Sequence, residues 1–260
     1  MQLTGELLPL LQELEHGTGW QQTNVNSGIT TYYRPELGSD SHAFKVTGDV
    51  GGSLFDCASL LYEMDLMKTW LPGIKFSGRA PCTKFSAFGQ QVFGCPWPFA
   101  DREANLWGYG GVVPPGNGCS CRVLVYFRDA VQSDLRKSTD PSAPAQLFDI
   151  PKKATRVTFK FGGFMLTPVS GKKTMITAIF HLDPRLVTVP SYFLNFVSKS
   201  FCHVLIKVMR KAVLTVRGDP KSEFARRIRT NRHVYGEIDR RMVMYMGEEE
   251  AKRLGLASEF

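Results

Sequence analysis

A chain of 260 residues, 43% apolar and 22% charged, has the balance of a globular protein with room for one large domain and an appendage, and not that of a disordered or fibrous chain. No run of about twenty apolar residues occurs, because His203 and Lys207 interrupt the longest stretch near Phe201 to Met209, and this excludes a bilayer-spanning helix there. The formal charge of +8 suits an anionic surface, but the basic excess lies late in the chain, which places any such contact at the C-terminal end.

Leu3, Leu7, Leu8, Leu11 and Leu14 recur at helical spacing with acidic residues between them and stop at Gly17-Thr18-Gly19, which predicts an amphipathic first helix. Glu6, Glu13 and Glu15 give this end the wrong charge for a secretory or mitochondrial leader, so a cytoplasmic setting is expected. Two strands follow, Trp20 to Val25 and Ile29 to Tyr33, joined by the hairpin signal Asn26-Ser27-Gly28, with a third from His42 to Gly48. Ser53 to Trp70 switches to helical spacing and ends at Pro72-Gly73.

From Ile74 the pattern is aromatic-rich strand: Ile74 to Arg79, Thr83 to Gly94, Ala104 to Val113, Cys119 to Asp129, Arg156 to Leu166 and Thr174 to Leu182. Turn residues separate these runs, so an antiparallel meander is predicted. Ser133 to Lys153, with Pro141, Pro144 and Pro151, reads as a long exposed loop. After Pro190 the apolar positions Phe193, Leu194, Val197, Phe201, Val204, Leu205, Val208 and Ala212 form one helical stripe. Such a helix of roughly twenty-two residues spans on the order of 33 Å, enough to lie across a curved sheet.

Several local motifs add to this order. Cys95-Pro96-Trp97-Pro98-Phe99-Ala100-Asp101-Arg102-Glu103, then Phe180-His181-Leu182-Asp183-Pro184, then Val189-Pro190-Ser191-Tyr192-Phe193-Leu194-Asn195 occur in sequence. They resemble, in order and spacing, motifs of the START (StAR-related lipid transfer) domain family. Gly19-Trp20, Trp70 and Thr155-Arg156-Val157 also fall where that family has counterparts. The resemblance covers about residues 1–213. It implies an α+β helix-grip fold, in which a curved antiparallel sheet wraps around a long C-terminal helix and encloses an apolar cavity. Residues 214–260 are then expected to be a basic, helical C-terminal extension.

The function implied is binding and intermembrane transfer of a single lipid, without catalysis and without a cofactor other than the lipid ligand. The sheet residues expected in the lining are Phe76, Phe85, Phe93, Leu106, Trp107, Tyr109, Phe127, Phe159 and Phe164. From the helix the expectation is Phe193, Leu194, Val197, Phe201, Val204, Leu205 and Val208. A one-residue register shift exchanges cavity and outside along any strand. Lys160 stands about four places after Arg156, where the family makes a head-group contact. Pro96, Trp97, Pro98 and Phe99 resemble the family's mouth loop, and aromatic side chains there suit a membrane interface.

The chain also departs from the family. Glu103 replaces the usual Asp after Arg. Met67 and Leu71 stand where a phosphatidylcholine-binding member has Arg and Asp, and Gly89 and Gly108 stand where sterol-binding members keep a charged pair. Sterol, phospholipid and sphingolipid all suit an apolar lining.

Six cysteines lack paired metal-site spacing, the histidines are scattered, and no GxSxG, HExxH or dinucleotide loop is present. No metal is expected, and no nucleic-acid motif accompanies the net charge. The expected partners are therefore lipid and, peripherally, an anionic membrane surface touched by the basic extension, with the protein a monomer. Two rival readings are a lipid-sensing regulatory module and an enzyme on the same scaffold that uses His181 or Tyr109.

Overall fold

The computed structural model describes residues 7–35, 42–95, 99–116, 120–136, 138, 154–183 and 202–256. The chain opens with α1 (Leu7–His16), whose Leu7, Leu10, Leu11 and Leu14 are buried at the expected helical spacing while Leu8 faces outward. The hairpin β1 (Gln21–Asn26) and β2 (Ile29–Pro35) turns through Ser27 and Gly28, both in the left-handed region at φ of 54° and 70°. A two-residue turn matched to strand twist needs that geometry at both central positions.

Next come β3 (His42–Val50) and α2 (Leu54–Tyr62). The side chain of Ser53 accepts from the Asp56 amide while the Asp56 carboxylate accepts from the Ser53 amide. This reciprocal pair starts the helix where the sequence turns apolar. A 3-10 segment, Met64–Thr69, completes the stretch of helical spacing. Four strands then run β4 (Ile74–Thr83), β5 (Ser86–Phe93), β6 (Asp101–Val113) and β7 (Arg122–Asp129).

After β7 the structure differs from the exposed loop expected over 133–153. The short helix α3 (Gln132–Leu135) begins that stretch, and its Asp134 is fully buried, accepting from Arg128 Nη1 at 2.7 Å and Nη2 at 2.9 Å. Pairing of a carboxylate with two guanidinium donors explains why so polar a stretch starts inside the fold. Most of what remains of it lies outside the described residues.

The late strand predicted over 156–166 is two strands, β8 (Ala154–Arg156) and β9 (Thr158–Ser170), and β10 (Lys173–Asp183) completes the sheet. Its order is β1-β2-β3-β10-β9-β7-β6-β5-β4, with β8 paired in parallel to the start of β6 and all other pairings antiparallel. The sheet is therefore not a simple meander, because β3 pairs with the last strand and joins the two halves.

The sheet buries both faces. Its outer face packs α1, with Leu7, Leu10, Leu11 and Leu14 against Phe88, Trp107, Tyr126 and Ile179. Its inner face packs α2 and α4 (Cys202–Gly218). The buried stripe of α4 is Cys202, Leu205, Ile206, Met209, Ala212, Val213 and Val216, an i, i+3, i+4 series that continues past residue 213. Close approach is possible because β3 and its exit are bare: a Cβ at Gly48 would lie 3.0 Å from Ile206, and one at Gly52 would overlap Val213.

Three further helices follow, α5 (Glu223–Thr230), α6 (Arg232–Met246) and α7 (Glu248–Arg253). Helical structure beyond residue 213 is thus present, but the expected boundary at 213/214 falls inside α4. Ile228, Val234, Tyr235, Ile238, Met242 and Leu254 share the inner-face core with the sheet. Buried Glu63, after α2, accepts from Arg227, Asn231 and Tyr235 at 2.9, 3.0 and 3.0 Å, which ties α5 and α6 to that core.

Candidate functional site

A cavity lies between the inner face of the sheet and α4. Its sheet wall is phenylalanine, with Phe44 on β3, Phe180 on β10, Phe159 and Phe164 on β9, Phe127 on β7 and Phe93 on β5. Leu106 of β6 adds to that wall, Met67 and Leu71 enter from the 3-10 segment and its exit, and Cys202 and Leu205 come from α4. The rings meet edge-on or tilted, with Phe164 and Phe180 centroids 5.6 Å apart at 84° and Phe127 and Phe159 5.7 Å apart at 68°. These are the arrangements that ring quadrupoles favour.

The positions of these rings follow from strand register. Phe44 and Phe180 are direct cross-strand partners, as are Phe127 and Gly162. Phe159 and Phe164 are five residues apart and would face opposite ways on a regular strand. They share a face because a bulge at Lys160 shifts the pairing between His181 and Leu182, inserting one extra residue. Gly162 then leaves the space that the Phe127 ring occupies; a Cβ there would fall inside the ring.

The cavity measures about 100 Å³, enough for a few methylenes and below the roughly 300–1,000 Å³ usual for small-molecule sites. Its heteroatoms are the sulfurs of Met67 and Cys202. Cys202 is fully buried, and burial pushes its thiol up to about 12. At neutral pH it is therefore a protonated, weakly nucleophilic group. A second, smaller cavity of about 40 Å³ lies between β6, β7 and α6, beside Phe85 and Tyr235, and Arg241 stands over the Phe85 ring at 5.1 Å.

Of the residues expected in the lining, Phe93, Leu106, Phe127, Phe159, Phe164 and Leu205 line the larger cavity. Phe85 borders the smaller one. Trp107 and Tyr109 are on the outer face with α1, ring centroids 6.4 Å apart, because alternation along β6 sends odd positions outward. Phe76 is 47% exposed on the edge strand β4. Lys160, as the bulge residue, is exposed and outside the lining.

On α4, Val204 is 40% exposed and Val208 only partly buried. The buried stripe runs through Cys202, Leu205, Ile206, Met209 and Ala212, so of the expected positions it keeps Leu205 and Ala212 and leaves out Val204 and Val208. Phe193, Leu194, Val197, Phe201, Pro96, Trp97 and Pro98 lie outside the described residues; Phe99 is half-buried. Sequence reasoning missed Phe44, Phe180, Met67, Leu71 and Cys202. The pairing of β3 with β10 accounts for the first two, and it has no signal in local spacing.

Fully buried Glu103, beside Arg102, accepts from Arg156 Nε at 2.8 Å and Gln90 Nε2 at 3.0 Å on the outer face. His181 is also on that face, stacked on Phe161 at 4.0 Å and edge-on to Trp20. Neither rival catalytic candidate, His181 or Tyr109, faces the cavity. Among the described residues no cluster could hold a metal ion, and no helix is long and apolar enough to cross a membrane.

No family model and no curated protein matches the sequence. Solved structures do match in three dimensions. Human STARD10 superposes with a TM-score of 0.69 at 16% identity, covering 92% of this chain and 89% of its own. Human StAR-related lipid transfer protein 5 gives 0.64 at 14% identity, covering 81% and 94%. A STAR-related lipid transfer protein from Xanthomonas axonopodis gives 0.55 at 16% identity, covering 75% and 99%. With its strand order, its inner-face helix and these likenesses, the chain has a START-like helix-grip fold.

Proposed function

We propose that the protein binds one lipid in the phenylalanine-walled cavity and carries it between membranes. The observation that carries this reading is an apolar chamber, roofed by Cys202 and Leu205 of α4, in the middle of a sheet that could have packed solid. Removing a lipid from a bilayer exposes its chains to water at about 0.8 kcal/mol per methylene, so a carrier must supply an apolar enclosure of comparable area. The lipid-transfer proteins named above share the fold, which supports the same use here.

A cavity of about 100 Å³ must widen to take a whole lipid. The 3-10 segment supplies the means, since Met64 and Met67 are unbranched and adapt to irregular shapes at small cost. The reading is non-enzymatic and needs no cofactor or metal: the thiol in the lining is held protonated, and His181 and Tyr109 point elsewhere. The protein works as a single cytoplasmic chain that touches membranes only peripherally.

Contact with an anionic surface falls to the exposed side of α4, which carries Lys207, Lys211 and the 62%-exposed Leu214. Much of the later basic excess is already matched, as Arg226, Arg240 and Arg253 pair with Glu223, Glu237 and Glu250. The test is transfer of a fluorescent lipid from donor to acceptor vesicles. Wild-type protein is expected to accelerate it, and Leu205→Trp, which fills the chamber, to abolish the acceleration while remaining folded. Equal rates with and without protein would end the carrier reading in favour of a sensor or a purely structural domain.

A further inference from the structure

Glycines inside the sheet are of two kinds. At Gly48 and Gly162 a Cβ would meet Ile206 and Phe127, so the missing side chain makes room for a neighbour. At Gly108 and Gly110 of β6 the room is left over. Around a Cβ at Gly108 the nearest atoms are the Tyr126 carbonyl oxygen at 3.5 Å, Phe127 Cβ at 3.8 Å and the Ala87 carbonyl oxygen at 4.0 Å. Around one at Gly110 they are the Leu124 carbonyl oxygen at 3.7 Å and Val125 Cγ2 at 4.0 Å. All of these belong to the flanking strands β5 and β7, and none to a helix packed on the sheet.

A glycine inside a strand weakens it, and it marks a bulge or a close approach by another backbone or a ligand. No bulge explains these two, since Gly108 stands in register with Ala87 and Phe127, and Gly110 with Val125. Alternation puts both on the inner face with Leu106 and Val112. Leu106 lines the larger cavity, whereas Gly110 and Val112 line the smaller one. On β7 the same split falls between Phe127 and Val125. The Phe127 ring turns toward β9, where it takes the place of a Gly162 side chain and leaves Gly108 uncovered. The two cavities therefore stand end to end along β6, with the bare backbone of Gly108 between them.

The smaller cavity offers surroundings for hydrocarbon. Ala58, Val123, Val234 and Ile238 are in its lining. Tyr62 and Tyr235 meet there edge-on at 6.0 Å and 76°, and their hydroxyls are engaged elsewhere, donating to the Lys84 carbonyl at 3.3 Å and to Glu63 at 3.0 Å. Ring faces and methyl groups suit an alkyl chain, while a polar head would lose its water there without return. From Leu106 to Val112 the path along β6 is about 20 Å at a strand's usual rise. The chains of one membrane leaflet fill about 15 Å, half of a bilayer core, so the path holds a full-length chain.

We infer that the two cavities are one ligand site, in which a linear acyl chain runs from the phenylalanine chamber over Gly108 into the smaller chamber and ends against Val234 and Ile238 of α6. This rests on the lipid-binding reading and deepens it: the ligand carries a long unbranched chain, and the helices after α4 measure that chain. A fused-ring sterol, stiff and broad, does not follow a path one bare strand wide.

The test is native mass spectrometry of the full chain equilibrated with vesicles that hold decanoyl, palmitoyl and stearoyl forms of phosphatidylcholine and ceramide in equal amounts, together with cholesterol. Wild type is expected to carry palmitoyl species at least as readily as decanoyl ones, in preference to the sterol. Gly108→Val sets a branched side chain across the path and is expected to fold, because such residues suit strands. Each methylene denied an apolar setting weakens binding about fourfold, so the ratio of palmitoyl to decanoyl adducts should fall about tenfold or more.

An unchanged ratio in Gly108→Val overturns the inference, as does a preference of wild type for cholesterol. Should that variant not fold, Ile238→Ala decides. It deepens the far chamber, and the ratio of stearoyl to palmitoyl adducts is expected to rise about threefold or more; the wild-type ratio would separate that chamber from the site. If wild type carries no lipid at all, the lipid-binding reading itself fails, whereas lipid bound without these shifts in chain length sinks this inference alone.

Discussion

Gly163 shows how tightly single positions are set. It sits on β9 where a Cβ would run into Leu10 of α1 and the carbonyl of Val125, so Gly163→Ala forces backbone to move. We expect a loss of roughly 1–3 kcal/mol in urea denaturation. Gly51→Ala, where nothing lies within 4 Å, should stay within about 0.5 kcal/mol. Equal effects at the two sites would refute the packing described. Cys202 gives a chemical check on the chamber. With its thiol pushed up to about 12 by burial, it should resist iodoacetamide in native protein at pH 8 and react in urea, as mass spectrometry of peptides would reveal; rapid native labelling would mean that the chamber is wet and open.

At the scale of elements, the sequence was readable wherever one period governed. The leucines of α1, the Ser53 cap and the Asn26-Ser27-Gly28 turn all did locally what their spacing demands. It misled where a long-range contact decided. Nothing near Lys160 announces a bulge, yet that one extra residue brings Phe159 and Phe164 to one face and turns Lys160 outward. On α4 Leu205 and Ala212 are buried as their spacing predicts, but the face turned inward is completed by Cys202, Ile206 and Met209 and not by Val204 and Val208.

The sequence predicts a basic face for an anionic surface on the helices after α4, but part of that charge meets partners on α2 and its exit. Arg227 joins Glu63 at 2.9 Å and Asp65 at 2.7 Å. Replacing it with Met would leave buried Glu63 without its cation, at a cost of about 3–5 kcal/mol. The pH dependence follows. Burial alone would raise the Asp65 carboxyl, but the hydrogen bond and charge of Arg227 outweigh it and hold it below its ordinary value. Its stabilisation is therefore fully present above the unfolded value of about 4 and drains away as pH falls through the lower folded value. Thermal melts of Asp65→Asn should be flatter than wild type between about pH 5 and pH 2; parallel curves would show that the pair contributes nothing.

For the molecule as a whole, the decisive feature is the pairing of β3 with β10, which links the early hairpin to the late strands and brings Phe44 opposite Phe180. No local pattern encodes that pairing, so the general fold could be read from element order and motifs, while the places of Phe44 and Phe180 in the cavity wall could not. The same holds for the C-terminal helices. Because Tyr235, Ile238 and Met242 lie in the inner-face core, truncation after Gly218 should yield protein that aggregates or melts without a cooperative transition. A soluble, cooperatively folding 1–218 fragment would restore the picture of a dispensable extension.

The central claim is that the space among Phe44, Phe127, Phe164 and Leu205 exists to be filled by a lipid. Native mass spectrometry of the protein after incubation with mixed-lipid vesicles addresses it most directly. The account predicts one added mass per chain, that of a single lipid, absent from folded Leu205→Trp. A spectrum showing only the bare protein mass, or the same adduct on Leu205→Trp, would contradict it.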